Sequence, residues 1–180
     1  MTDRSERPGF LPSRRIVRAL LIVAILAVAA MWVYAFVFAP KSNVNAIGDD
    51  AWTTAGAAIC TAAREQILDL PTGPNPSDTS PEALQQRAEI VEQSNAILDR
   101  MLTTLESTTP NDQEGARIAK LWLSDYRTLL RDRVAYVAAL RAGTATKFSE
   151  TMVDGQPITN FIGDLARQNR MGDCQPPALS

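Results

Sequence analysis

Two pairs of carboxylates are spaced for chemistry. Asp125 and Asp132 lie seven residues apart in a segment of helical periodicity, two turns along roughly one face, and Glu65 and Asp69 lie four apart in another. Such a pair could move protons at a substrate or hold a hard cation. Arg64, Arg127, Arg131 and Arg133 are near enough in sequence to neutralise them, and ion pairs between helices are the plainer expectation. The chain has no His. That excludes a Ser-His-Asp triad, a Cys-His pair, His-ligated zinc or haem, and the Glu-x-x-His pairs of a di-iron helical site. A Gly-rich phosphate loop, a nucleophile elbow and metal-ligand spacing are also absent from the sequence. The chain does not read as an enzyme, and no catalytic residue, metal or cofactor is expected.

Trp122, Tyr126 and Tyr136 share a helical segment with Arg133, and Arg64 lies on an earlier one. These five are the candidates for a pocket or an interaction surface. The rings could stack on a sugar, or they could be core, which is the commoner fate of aromatics on an inward face. Asn169 reads as a group that caps or ties a turn. Residues 144–158 interrupt an otherwise regular helical pattern, and loops carry function more often than the elements they join.

Cys60 and Cys174 are the two cysteines. In an oxidising compartment an even count reads as a disulfide, here closing a loop of more than 100 residues; two free thiols are the alternative. There is no Cys-x-x-Cys to depress a thiol pKa, so a redox-active pair is not expected.

Compartment follows from the first forty residues. Ala19 to Ala39 are 21 residues without a charge, which as a helix cover roughly 30 Å, the thickness of a bilayer core. Trp32 and Tyr34 near the end of this stretch suit the headgroup boundary. Five arginines (Arg4, Arg7, Arg14, Arg15, Arg18) precede it, whereas Lys41, Asp49 and Asp50 follow. The positive-inside rule places residues 1–18 in the cytoplasm as an unstructured basic tail, residues 19–39 across the cytoplasmic membrane, and the rest outside. A cleaved signal peptide would have a shorter apolar core, and Pro40 directly after Val37-Phe38-Ala39 disfavours cleavage there. Ser13-Arg14-Arg15 resembles a twin-arginine signal, but the stretch is too apolar for that route. Net charge is −2 for the chain but −5 beyond residue 18, so nucleic acid is not the expected partner.

The outer part reads as helices. After a polar linker, 40–48, a first helix starts near Asp49 or Asp50 and ends at Leu70-Pro71. Residues 71–80 hold three Pro and one Gly and form a loop. Ser80-Pro81-Glu82 then opens a second helix, with Leu84, Val91, Leu98 and Leu105 recurring every seven residues. A third runs from about Asp112 to Ala142, with Gly143 at its C-cap. Its apolar sector has one stripe of Ile118, Trp122, Leu129, Tyr136 and Leu140, and a second of Leu123, Tyr126, Leu130, Val134 and Val137. Asp154-Gly155 signals a hairpin or ordered loop, and a short fourth helix is capped near Thr159 with Phe161, Ile162, Leu165 and Ala166 inward. The fold expected for 49–177 is an all-α antiparallel bundle of three long helices and one short, stapled once.

The order of several short motifs is also familiar. Cys60 with Ala63-Arg64 and Leu70-Pro71, Trp122-x-x-Asp125-Tyr126 with Asp132-Arg133-x-x-Tyr136, and Pro157-Ile158-Thr159 through Asn169-x-Met171 to Cys174-x-Pro176 resemble a group of uncharacterised single-span envelope proteins of actinobacteria. The resemblance covers most of 51–177. It implies the single-span topology and the Cys60–Cys174 pair, and it carries over no catalytic residue.

The leading functional expectation is a membrane-anchored interaction or scaffold protein, such as an accessory subunit of an envelope complex, with the bilayer, other envelope proteins or its own copies as partners. Ala24, Ala27 and Ala30 would let a second span approach closely. The alternative is a module that binds a lipid or another small molecule outside the cytoplasm. An exposed contiguous apolar patch would favour the first. A pocket of roughly 300 Å³ or more with convergent polar groups, between the second and third helices, would favour the second.

Overall fold

A computed structural model describes residues 14–38, 45–145 and 147–179, and the chain divides into two units, Met1–Ser42 and Asn43–Ser180. In the first unit, helix α1 (Arg14–Val33) continues into a π-helical turn, Tyr34–Phe38. The stretch Arg14–Val37 has a mean hydropathy of 2.7 over its most apolar window and buries none of it. By length and composition it is the one helix among the described residues able to cross a membrane. The rings of Trp32 and Phe36 stack 5.2 Å apart. The helix begins before the uncharged stretch, so Arg14, Arg15 and Arg18 are helical rather than part of an unstructured tail. Residues 1–13 of that expected tail, and Ala39 at the expected end of the span, lie outside the described residues.

In the second unit local chemistry sets each start. Helix α2 (Asp50–Leu68) is capped by Asp49, whose carboxylate accepts from the Trp52 amide at 2.9 Å and from the Asn111 amide at 2.9 Å. Those bonds hold the Asp49 carboxyl below its usual pKa. Helix α3 (Pro81–Glu106) is capped by Ser80, with Pro81 in its first turn where no amide bond is lost. Helix α4 (Gln113–Arg141) is capped by Asp112, which accepts from the Gly115 amide. A Cβ at position 115 would lie 2.3 Å from Asp112 Oδ2, so any side chain there would displace the capping carboxylate. Met152–Val153 (β1) and Gln156–Pro157 (β2) pair antiparallel around Asp154 and Gly155, both at positive φ as a tight primed turn requires.

Helix α5 (Ile158–Gln168) starts one residue before the expected cap at Thr159, and no side chain of its own caps it. Glu150, from the segment before the hairpin, accepts the Thr159 amide instead, at 3.0 Å. A 3-10 turn, Gly172–Cys174, then brings the tail back to α2, where the disulfide joins Cys174 to Cys60 with Cα atoms 4.9 Å apart. The loop closed is 114 residues long, and the chain-entropy stabilisation for that length is about 4–5 kcal/mol at most.

Partners along α3 and α4 run in opposite order. Glu106 and Asp99 meet Arg127, Asn95 meets Arg133, and Glu92 meets Arg141. The two helices therefore run in opposite directions. Helix α3 also packs against α2, and α4 against α5.

Three burial expectations need correction. Val134 is 57 % exposed, because α4 turns Arg133 inward and Val134 lies about 100° further round. Phe161 is 37 % exposed, while Ile162 and Ala166 of the same helix are buried. Ile47, expected in a polar linker, is buried, and Asn169 ties that segment down. Its Oδ1 accepts the Ile47 amide at 2.7 Å, and its Nδ2 donates to the carbonyls of Asn45 and Leu165.

Candidate functional site: an arginine-lined cavity

The apolar interior of the second unit is not continuous. A large cluster runs from Trp52 and Cys60 through Leu98, Leu102, Trp122, Leu129 and Ile162. A smaller one holds Leu84, Ala88, Val91, Val137 and Leu140. Between them, Ser94 and Asn95 of α3 face Arg133 of α4. Heptad spacing on α3 sets Ser94 and Asn95 between Val91 and Leu98 on the inward stripe, and on α4 Arg133 lies between Leu129 and Val137.

Arg133 is 2 % exposed. Its Nε donates to Asn95 Oδ1 at 2.7 Å, one Nη to Ser94 Oγ at 2.8 Å, and the other Nη to the Pro177 carbonyl at 3.4 Å. All three acceptors are neutral, and no carboxylate of the described residues lies within ion-pair distance. Burial pulls the Arg133 guanidinium down to about 10, against a small opposing effect of Tyr126, so it stays charged near neutrality. Tyr126, also almost fully buried, lies two turns earlier on the same face of α4. Burial pushes its phenol up, against the pull of Arg133, so the hydroxyl keeps its proton. It makes no hydrogen bond to a described residue, which leaves a donor and an acceptor unused.

These groups border a cavity of about 590 Å³ between α2, α3, α4 and the C-terminal tail. One wall is apolar and includes Ile67, Leu70, Ile90, Val91 and Leu98. Arg87 stands at another side, 7 % exposed. One Nη of Arg87 donates to the carbonyls of Asn75 and Asp78, which pins the proline-rich loop 71–80 to α3. Its Nε and second Nη bond to no described residue. Arg64, half-exposed, is 3.7 Å from Asp173, and Asp173 also accepts from Thr61. The tail from Gln175 to Leu179 forms the remaining wall and is held in place by the disulfide at its start.

Of the five residues proposed for a pocket, Arg64, Tyr126 and Arg133 line this cavity, and so do Cys60 and the neighbourhood of Cys174. Trp122 and Tyr136 do not. Trp122 is buried, donates its indole N–H to the Ile162 carbonyl at 3.1 Å, and packs edge-on against Tyr126. Tyr136 packs edge-on against Phe148 and against the smaller apolar cluster. Arg87 and Ser94 went unremarked in the sequence. The signal was there: they occupy the stripe Leu84, Arg87, Ala88, Val91, Ser94, Asn95, Leu98, where a polar residue is enclosed rather than solvated.

The carboxylate pairs do not form a centre. Asp132 accepts the amide and hydroxyl of Thr151 and so anchors the strand that leads into the hairpin. Asp125 is half-buried, and desolvation raises its pKa. Glu65 and Asp69 are exposed at the end of α2. No group of three or more His, Cys, Asp or Glu able to hold a metal occurs among the described residues. The expected neutralising role falls to other partners: Arg127 binds Glu106 and Asp99, neither of them in the pairs.

A second hollow, of about 640 Å³, lies beside the α3–α4 connection. Its charged groups, Glu106, Arg117 and Lys120, are all exposed, and Arg117 pairs with Glu114 and Glu106 with Arg127. Unlike the first, it encloses no charged group.

No family model matches this chain, and no curated protein or solved structure matches it either.

Proposed function

We propose that this protein is a membrane-tethered module that binds a small molecule or lipid outside the cytoplasm, in the cavity beside Arg133. One observation carries the reading: a charged group and a phenol without a hydrogen-bond partner among the described residues are held almost fully buried at the border of a 590 Å³ space, and no carboxylate of the described residues neutralises the charge. An uncompensated buried cation costs several kcal/mol in effective terms. Ligand sites of roughly 300–1,000 Å³ are built in this way, mostly apolar with a few convergent polar groups. The lining supports binding rather than catalysis. It has no histidine, and its one carboxylate, Asp173, is held by Arg64 and Thr61.

Placement outside the cytoplasm is supported by the arginines before α1 and by the cysteine pair, which suits an oxidising compartment. On this reading the second unit is an antiparallel helical bundle at the outer face of the cytoplasmic membrane, and α1 is an uncleaved anchor. The scaffold alternative draws less support. Exposed large apolar residues of the second unit come from different elements, and on α4 Leu121 and Val134 are roughly 140° apart around the axis.

The test is native mass spectrometry of the full chain, extracted from its own membranes in mild detergent. The wild type carries an organic mass. Ile90→Trp, which fills the cavity from its wall, cuts that occupancy at least about fivefold while the helical far-ultraviolet circular dichroism is unchanged. A wild-type chain without adduct, or a variant loaded equally, contradicts the proposal.

A further inference from the structure

We infer that the ligand is an anionic amphiphile: a single oxyanionic head, carboxylate or phosphate, on an apolar body. The inference rests on the binding reading above and adds the chemistry that the cavity selects.

Charge comes first. Three guanidinium groups, Arg64, Arg87 and Arg133, face the space against the single carboxylate of Asp173. Arg87 and Arg133 have no carboxylate of the described residues within ion-pair distance, and both are more than nine-tenths buried. In such a place a cation attracts an anion far more strongly than it would at a surface. It equally repels a cationic ligand.

Donors come second. A guanidinium has five N–H groups in a planar fork that matches a carboxylate or phosphate. Arg133 spends three of its five on Asn95, Ser94 and Pro177. The Pro177 contact, at 3.4 Å, is the longest and the easiest to exchange for a ligand oxygen. Arg87 keeps Nε and one Nη unspent, and the Tyr126 hydroxyl adds a neutral donor. A carboxylate or phosphate can take two N–H groups of one guanidinium at once; an alcohol oxygen cannot.

The apolar wall comes third. Ile67, Leu70, Ile90, Val91 and Leu98 offer no hydrogen bond, so a free inorganic anion would leave most of the space unfilled. A sugar is a poor fit. The Tyr126 ring is enclosed against Trp122, and neither ring presents a face for stacking.

The experiment uses the full chain in nanodiscs of zwitterionic lipid, with empty nanodiscs as the blank. Octanoate, octyl phosphate, octanol and inorganic phosphate are titrated by calorimetry. At least one of the two anionic amphiphiles binds about tenfold or more tightly than octanol and than inorganic phosphate, as charge-assisted hydrogen bonds predict. Which of the two binds tighter distinguishes a carboxylate head from a phosphate head. Arg133→Gln removes most of the preference over octanol. Arg87→Gln reduces it severalfold and keeps the test decisive if Arg133→Gln does not fold. Octanol binding as tightly as the anionic compounds overturns this inference while the cavity reading stands. Inorganic phosphate binding as tightly also overturns it, in favour of a simple anion site. If none of the four binds, the inference fails. An organic adduct in the native mass spectrum then keeps the binding reading alive, and its absence ends both.

Discussion

Arg127 and Arg133 sit six residues apart on α4 and live in opposite conditions. Arg127 is partly exposed, grips Glu106 with two nitrogens, reaches Asp99 with a third, and touches Thr103. Arg133 is enclosed and meets only neutral oxygens. The outer face of the α3–α4 pair neutralises its charge with carboxylates one helix away. The inner face solvates its charge with an amide, a hydroxyl and a carbonyl, and leaves it unneutralised. Solvation without neutralisation keeps the charge available. The outer pairs are surface ion pairs of small energetic weight; the inner arginine is a standing electrostatic cost beside a cavity.

The largest expected effect removes the wall that makes the inner site different. Cys60→Ala with Cys174→Ala lowers unfolding free energy by about 3–5 kcal/mol, read from urea denaturation. It also raises hydrogen exchange at the Gln175 amide, which bonds to the Gly172 carbonyl at the start of the tail that lines the cavity. A loss below about 1 kcal/mol would mean that the staple contributes little.

Next comes Asn169→Ala, which leaves the Ile47 amide without its buried acceptor and costs about 1–3 kcal/mol. The contrast between the arginines sharpens in the third test. Arg133→Met leaves stability unchanged or raises it by about 1 kcal/mol, because removing a buried, unneutralised charge offsets the loss of its bonds to Ser94 and Asn95. Arg127→Met lowers stability by about 0.5 kcal/mol. A strong destabilisation by Arg133→Met would assign Arg133 a structural role and erase the comparison.

The smallest effect is a pH dependence. Hydrogen bonds from Arg127, and then its charge, hold the Glu106 carboxyl below its ordinary value. A carboxylate depressed on folding stabilises the protein above its unfolded pKa, and the contribution is lost as pH falls through the folded one. Because Glu106 is more than a third exposed, the loss is well under 1 kcal/mol. It disappears in Arg127→Gln, when acid denaturation of the two proteins is compared.

What was legible in the sequence was local. Asp49, Ser80-Pro81 and Asp112 mark helix starts because a cap is made within three residues, and Asp154-Gly155 marks a turn for the same reason. The cysteine pair was legible because two cysteines allow one intramolecular pairing. The cavity was not. Whether an arginine on α4 meets a carboxylate or an amide depends on the register of α4 against α3, and Asn95 and Arg133 are 38 residues apart. Four arginines looked alike as neutralisers, and only tertiary packing separated Arg133 from Arg127. The same register exposes Val134, which its apolar character alone would have placed inside.

The most direct measurement follows the arginine side-chain N–H resonances of the full chain, labelled with nitrogen-15 and held in nanodiscs, during titration with octanoate and octyl phosphate. The Arg133 signals shift and saturate with one of the two ligands, and the Arg127 signals stay where they are. Signals of both arginines moving in parallel, or Arg133 silent up to saturating ligand, would contradict the account.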